Sequence, residues 1–428
     1  MTDSFSNDLA CAKKLDQSDP LKKFRDEFHF PKTKAGADQL YFAGHSLGLM
    51  PKRAKDYVNN ELSAWAKYGV EGHFLGSHPW LHYHENITSS FAKLVGAKNT
   101  EVVAMNTLTV NLHCMMVSFY RPTKSRYKIL IENNSFPSDK YAVDSQARFH
   151  DLDPKTTIIE LAAGADGMTV SEGSILETIK KHGPELSLIM LGNCNYLSGQ
   201  KFDIDKIVKA GHAVGAVVGF NLAHGAGNLH LKLHDSGADF AVWCSYKYLN
   251  SGPGGLAGAF VHERHHGKKD IPRFEGWWGH NKETRFKMGP QFEPLATTEA
   301  WQLSNPPIFQ LASLRASMEI FDEAGIAELR KKGDQLTNYF SWLIQKNITN
   351  EIEIITPQSE GARGSMLCMK FTANNKNNPK AWFEKMIQAG AIMDFREPNI
   401  IRATPAPLYN SYEDVFRLVS LMKEYMNA

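Results

Sequence analysis

The chain has 428 residues, 43% hydrophobic and 22% charged, enough for one large and one smaller domain of an ordinary globular protein. A formal charge of +2 with acids and bases intermixed leaves no footprint for nucleic acid or a membrane surface. No apolar run approaches the roughly 20 residues that span a bilayer, MTDSFSNDLACAKK lacks a signal core, and five scattered cysteines without a CxxC pair argue against a disulfide framework or a zinc site, so a cytoplasmic location is expected.

Residues 1–20 read as a loose polar arm, and the segment up to about residue 55 is expected to pack on a C-terminal domain. Between about 100 and 262, short β-branched runs alternate with amphipathic stretches. Strands are expected near Val102–Met105, Lys128–Ile131, Thr157–Leu161, Leu186–Leu191, Val214–Phe220, Phe240–Cys244 and Gly258–Val261. Several are apolar without alternation, as when helices cover both faces of a sheet, and stretches such as Ile204–Ala213 fit crossover helices. A helix with Thr109 as its N-cap is expected over Val110–Tyr120. The fold class is α/β, with seven strands in a mostly parallel sheet. From about Asn305 the pattern changes to long helices, Ile308–Glu323 and Ile326–Lys346. Strands Glu351–Thr356 and Met366–Phe371 and helices Ala381–Ala389 and Tyr412–Tyr425 complete a smaller α+β domain. The expected division is therefore 1–55, 56–304 and 305–428.

One stretch carries chemistry. In FAVWCSYKYLNSGPGG, Lys247 stands at the end of a strand-like run between Tyr246 and Tyr248. Upstream, VVGFNLAH is a second buried strand with a polar end, Asn221. Strand, polar end, short link, strand and lysine is the arrangement expected of a pyridoxal 5'-phosphate (PLP) enzyme. There the lysine holds the aldehyde as a Schiff base, and a residue on the neighbouring strand addresses the ring nitrogen. Taken alone, Thr109 is a helix cap, FPSD a turn, and His224 a structural hydrogen-bonder.

Eight motifs in sequence change that balance. YFAGHSLGL, MNTLTVNLH, FPSDKYA, FNLAHGAGN, CSYKYLNSGPGG, GWWGH, SNPP and RATPAPLYN, together spanning nearly the whole chain, resemble kynureninase in order and spacing. That family is a fold-type I PLP enzyme of the class V aminotransferase group, and SYKYLN with GWWGH separates it from the related cysteine desulfurases. The resemblance implies Lys247 as the Schiff-base lysine and base, with Tyr246 near the phosphate and able to move a proton. Leu108 and Thr109 would bind phosphate at a helix N-terminus. Phe136 would stack on the ring, with Ser138, Asp139, Asn221, His224 and Asn305 around the cofactor and Trp277 near its phosphate. Arg402 would grip the substrate α-carboxylate as a fork. His73, Ser304 and Asn305 would shape the pocket for the aryl ketone, and the site would lie at a homodimer interface and be shared across it.

The chain departs from the family pattern at several places. Asn221 stands where the family has an aspartate that keeps the pyridine nitrogen protonated, and Asp139 is expected to compensate in part. His45 replaces the usual Asn, Asn193-Cys194 a Gly-Val pair, Leu197-Ser198 an aromatic-Thr pair, and Gly225 an Ala. The reading implied is a hydrolase acting on a carbon–carbon bond of L-kynurenine or 3-hydroxy-L-kynurenine. Its products are an anthranilate and L-alanine, within tryptophan catabolism and the route towards NAD. The rivals are another PLP reaction on this scaffold, which GWWGH and SNPP oppose, and a PLP-binding non-enzyme, which only Asn221 favours.

Overall fold

The computed structural model describes residues 5–375 and 377–426. The expected N-terminal arm is a helix instead, α1 (Leu9–Ser18); residues 1–4 lie outside the described residues. Asp8 caps it by accepting from the Cys11 N–H at 2.7 Å, and Ala12 and Leu15 join the C-terminal apolar core. A polar composition hid both the cap and this apolar stripe. From α1, Asp16 accepts from the Tyr412 and Glu413 N–H groups and so caps the last helix, while Asp19 forms a buried 2.7 Å pair with Lys332. Leu40–Tyr41 then pairs in parallel with Ala391–Ile392.

Helices α2 (Ala54–Tyr68) and α3 (Glu85–Val95) lead to a seven-stranded sheet. Its strands are β1 (Val102–Ala104), β2 (Lys128–Ile131), β3 (Ile158–Glu160), β4 (Leu186–Gly192), β5 (Val217–Asn221), β6 (Phe240–Trp243) and β7 (Gly258–Val261). In space they run β1-β7-β6-β5-β4-β2-β3, with only β7 antiparallel to its neighbours. Between them come α4 (Leu108–Phe119), α5 (Pro137–Phe149), α6 (Glu172–His182) and α7 (Ile204–Ala213). The continuous apolar runs follow from burial on both faces: Leu130, Ile189 and Phe220 enter one core, and Ile129, Ile131, Leu188 and Met190 the other.

Helix α8 (Ile308–Ala324) packs on α2 and α3, with the Arg315 guanidinium 4.5 Å from the Tyr57 ring. After it, α9 (Ile326–Asn347), α10 (Pro379–Gln388) and α11 (Tyr412–Met426) accompany a four-stranded antiparallel sheet. Its strands are β8 (Ile352–Ile354), β9 (Leu367–Phe371), β10 (Asp394–Arg396) and β11 (Ile400–Ala403). In this second sheet Arg402 stands opposite Cys368 on one side and Asp394 on the other. No helix among the described residues is long and apolar enough to cross a membrane.

Candidate active site

The carboxyl ends of β2, β4, β5 and β6 are neighbours in the large sheet, and polar residues emerge there. Glu132 follows β2, Asn221 ends β5 opposite Gly192 of β4, and Lys247 lies just beyond β6. Because β2 connects to β3 in one direction while β4, β5 and β6 continue in the other, the strand order reverses at this point. Open sheets bind ligands at such a crevice. A cavity of about 150 Å³ opens here and takes in Lys247, Tyr246, His224, Asn221, Asp139 and Ser138. Phe136, Leu108 and Thr109 line it too. Nine residues expected from scattered motifs are thus brought to one place.

Lys247 Nζ lies 3.3 Å from His224 Nε2. An ammonium can only donate, so the imidazole accepts at Nε2. Burial and the charges of Lys247 and Arg402 hold His224 well below the usual histidine range, consistent with a neutral ring. Phe136, with its ring 5.7 Å from Nζ and 39% exposed, keeps an aromatic face free towards the cavity. Tyr246 has its ring 6.0 Å from the same amine, and burial beside Cys244 raises its phenol above the ordinary range. The lysine loop is braced from the N-terminal segment: Gly48 N–H donates to the Tyr246 carbonyl, and a Cβ at Gly48 would collide with Asn250 and the Lys247 carbonyl.

Asn221 donates from Nδ2 to Asp139 Oδ2 at 2.6 Å and accepts at Oδ1 from the Ala223 N–H at 2.9 Å. The other carboxylate oxygen, Asp139 Oδ1, is buried with no hydrogen-bond partner among the described residues. Burial pushes Asp139 up to about 6, against the Asn221 bond, the Lys247 charge and the Ser138 hydroxyl. At the other end, α4 begins at Leu108 rather than at Val110. Its N-cap is Thr107, not Thr109, because Asn106 takes a left-handed φ of 49° and turns the chain earlier. Thr107 makes no side-chain cap bond, and the first turn holds no acid, so its N–H groups remain available to an anion.

The remaining expected residues lie outside this cavity. Ser304 and Asn305 line an adjoining groove that shares Thr107 with it. Trp277, 42% exposed, packs on Phe286 and donates to the Arg285 carbonyl. His73 packs edge-on against Trp80. Arg402 is buried behind Tyr196, with Nε and Nη2 on Asp394 at 2.8 and 2.7 Å and Nη1 on the Tyr196 carbonyl. Three of its five N–H groups are thereby used, leaving one on each terminal nitrogen.

The cavity also holds Cys194, one of the departures from the family pattern, and three residues that no motif suggested: Glu132, Gly192 and Tyr196. Glu132 accepts from the Gly192 N–H at 3.2 Å and from Asn195 Nδ2 at 2.7 Å, and burial pushes it up to about 7, the nearby Asp139 contributing. The signal that could have found it is the one that found Lys247 and Asn221, a charged or polar residue directly after a buried strand. His45 is buried, bonded through Nδ1 to Thr404 Oγ1 at 2.9 Å, and held well below the usual range by burial and the Arg402 and Lys247 charges.

This set of groups fits PLP. The amine of Lys247 suits an aldehyde, the unpartnered Asp139 oxygen a protonated ring nitrogen, the α4 N-terminus a phosphate, and Phe136 a flat aromatic ring.

Comparison with known proteins points the same way. Residues 329–422 match the model of the kynureninase C-terminal domain. The chain is 56% identical over 419 residues to a kynureninase of Myxococcus xanthus, covering 98% of this chain and 97% of the other. It is 50% identical to one of Koribacter versatilis (97% of each) and 49% identical to one of Xanthomonas euvesicatoria (100% of each). Among solved structures, a cystine C–S lyase complexed with cysteine persulfide superposes with a TM-score of 0.74 at 15% identity, covering 91% of this chain and 98% of that one. The same lyase with glycine covalently linked to its PLP cofactor gives 0.73 at 14%, covering 90% and 97%. The Escherichia coli cysteine desulfurase gives 0.72 at 15%, covering 95% and 98%. At such identities these likenesses speak for the fold alone, that of fold-type I PLP enzymes.

Proposed function

The chain belongs to the kynureninase family, and from that premise we infer that it hydrolyses L-kynurenine, or its 3-hydroxy form, to an anthranilate and L-alanine with PLP as cofactor. The observation that carries the reading is the meeting of Lys247, a buried Asp139 oxygen and the α4 N-terminus in one cavity. Bound PLP supplies the electron sink that makes the substrate Cα–H acidic and its Cβ–Cγ bond labile.

The chain's own groups do the rest in this scheme. Lys247 Nζ takes the proton from Cα, and neutral His224 at 3.3 Å offers a lone pair that orients the amine. The two N–H groups left on Arg402 grip the α-carboxylate as a fork and fix the substrate's angle. Water adds to the γ-carbonyl, and the Tyr246 phenol, raised by burial and so holding its proton at neutral pH, returns a proton to Cβ. Asp139, with one oxygen held by Asn221, would offer its other oxygen to the ring nitrogen of bound PLP. Leu108 and Thr109, at the α4 N-terminus, would hold its phosphate. Residues 56–304 would form the cofactor-binding domain and 305–428 the smaller one that brings Arg402.

We further read the protein as a cytoplasmic homodimer. His73 and Trp277 sit beside exposed apolar side chains, Phe74, Leu75 and Phe286, 48–56% accessible, which a partner subunit would cover. In this arrangement His73, Trp277, Ser304 and Asn305 serve a shared site. Cys114, Cys194, Cys244 and Cys368 are buried free thiols. Purified, PLP-loaded protein given L-kynurenine should release anthranilate, seen by its fluorescence, over many turnovers. A shift in cofactor absorbance without anthranilate would mean binding without this chemistry.

A further inference from the structure

Glu132 is a carboxylate inside the cavity that the scheme above leaves without a task. It leaves the end of β2 and reaches across to β4, where its two oxygens meet different partners, Gly192 N–H and Asn195 Nδ2. The space for it exists because residue 192 is glycine: a Cβ there would stand 2.7 Å from Glu132 Oε1. Asn195 is in turn the organiser of a turn. Its Oδ1 accepts from the Leu197 N–H at 3.0 Å, the Ser198 N–H at 2.8 Å and the Ser198 hydroxyl at 3.1 Å. Its backbone closes the same turn, with N–H to the Gln200 carbonyl at 2.8 Å and the carbonyl accepting from Gly199 N–H at 3.0 Å. The residue held at its centre is Tyr196, whose carbonyl accepts from Arg402 Nη1, and whose ring stands edge-on to Phe136 at 5.3 Å.

We propose that Glu132 is a positioning residue for substrate recognition, fixing Asn195 and thereby the Tyr196 carbonyl that aims the Arg402 guanidinium. An oxygen acceptor on each side of Arg402, Asp394 on its own sheet and Tyr196 on the large domain, leaves the fork one orientation. Asp394 is a cross-strand neighbour and moves with the arginine. Tyr196 belongs to the other domain, so this contact is the one that relates the carboxylate grip to the cavity floor. Without an ionised acceptor at position 132, the Asn195 amide loses its charge-assisted partner, and the Tyr196 carbonyl, next in the chain, loses that support for its orientation while the backbone bonds of the turn remain.

The proposal rests on the reading that Arg402 binds the α-carboxylate, and the test separates the two. Holoenzyme at pH 8, above the value near 7 of Glu132, is compared for L-kynurenine and for the amine that lacks its α-carboxylate, by turnover and by cofactor-absorbance titration. Glu132→Gln is expected to raise the KM for L-kynurenine about tenfold, the scale of one charge-assisted hydrogen bond, with a smaller fall in kcat. The affinity for the carboxylate-free amine and the resting cofactor spectrum should stay as in the parent. Asn195→Ala cuts the same route at its next link and should give the same selective loss, which keeps the test open if Glu132→Gln does not fold. Equal weakening of both ligands, or of neither, overturns the proposal. Arg402→Lys is the control: if it leaves the preference for the carboxylate-bearing ligand intact, the Arg402 reading has failed. If it removes that preference while Glu132→Gln does not, the role of Glu132 alone has failed.

Discussion

Asn221 and Asp139 are joined by a 2.6 Å hydrogen bond in which the amide donates and the carboxylate accepts. The amide oxygen accepts in turn from the Ala223 N–H, and the neutral carboxamide has no charge to offer a ring nitrogen. The free oxygen belongs to Asp139. The carboxylate of the pair is therefore Asp139, with Asn221 as its holder. Asp139→Asn should lower turnover by about 2- to 30-fold, since a neutral hydrogen bond near 1 kcal/mol replaces a charge-assisted one of roughly 1.5–3. Asn221→Asp in that background should restore part of the loss by returning a carboxylate to the cluster. Anthranilate release by the two variants decides it, and full activity in Asp139→Asn would remove Asp139 from this role.

The pH dependence of cofactor binding follows from the same carboxylate. Burial raises Asp139 to about 6 in the cofactor-free protein. Above that pH it is ionised and can pair with a protonated ring nitrogen; below it the acid is neutral and the pairing is lost. Affinity for PLP should thus fall as pH drops through 6, by up to about tenfold per unit. PLP titrates in the same range, so the quantity to measure is the ratio of dissociation constants of the parent and Asp139→Asn, from tryptophan quenching between pH 5 and 8. The ratio should approach one at low pH. A flat ratio would mean that Asp139 carries no charge at the ring.

Replacing Lys247 separates binding from chemistry. Lys247→Ala removes the amine while leaving Asp139, Phe136 and the α4 N-terminus in place. PLP should still bind through those groups, but without the absorbance band of a lysine imine. Turnover should fall by about 10⁴-fold, near the upper range for a positioned acid–base group that is also the covalent anchor. Retained turnover in this variant would contradict the assignment of the base.

Legibility in the sequence followed burial. The seven strands were readable because β4, β5 and β6 are covered on both faces and so are apolar without a break, and their polar termini, Asn221 and Lys247, stood out against that background. Glu132 obeys the same rule but sits in a turn, IENNSF, whose polarity masked it. Arg402 was found through its motif, yet β10 and β11, which hold it beside Asp394, were not, because antiparallel strands of three and four residues carry little periodicity. The α1 helix was missed for a related reason: its stability comes from Asp8 and from contacts with α11, not from its own composition. In the homodimer proposed above, placement of His73, Trp277, Ser304 and Asn305 relative to the cavity would depend on a partner surface, which a single chain's sequence does not encode locally.

Two of the departures from the family explain each other. At 193 and 225 the resemblance leads one to expect Gly and Ala, and this chain has Asn and Gly. A Cβ at Gly225 would collide with the Asn193 carboxamide, so the larger residue at 193 occupies the volume that an alanine methyl at 225 requires. Neither polar atom of Asn193 has a hydrogen-bond partner among the described residues, although the side chain is fully buried. Gly225→Ala alone should destabilise the protein by about 1–3 kcal/mol through overpacking. Asn193→Gly removes an unsatisfied amide, a gain on the order of 1–3 kcal/mol, but leaves a void beside Gly225 that offsets part of it. The double variant restores the complementary pair and should be more stable than either single one, so the two changes are coupled rather than additive. Thermal unfolding of the four proteins with PLP bound measures that coupling. An interaction energy near zero would mean that the backbone at 225 moves to absorb the methyl, and that the two positions drifted independently.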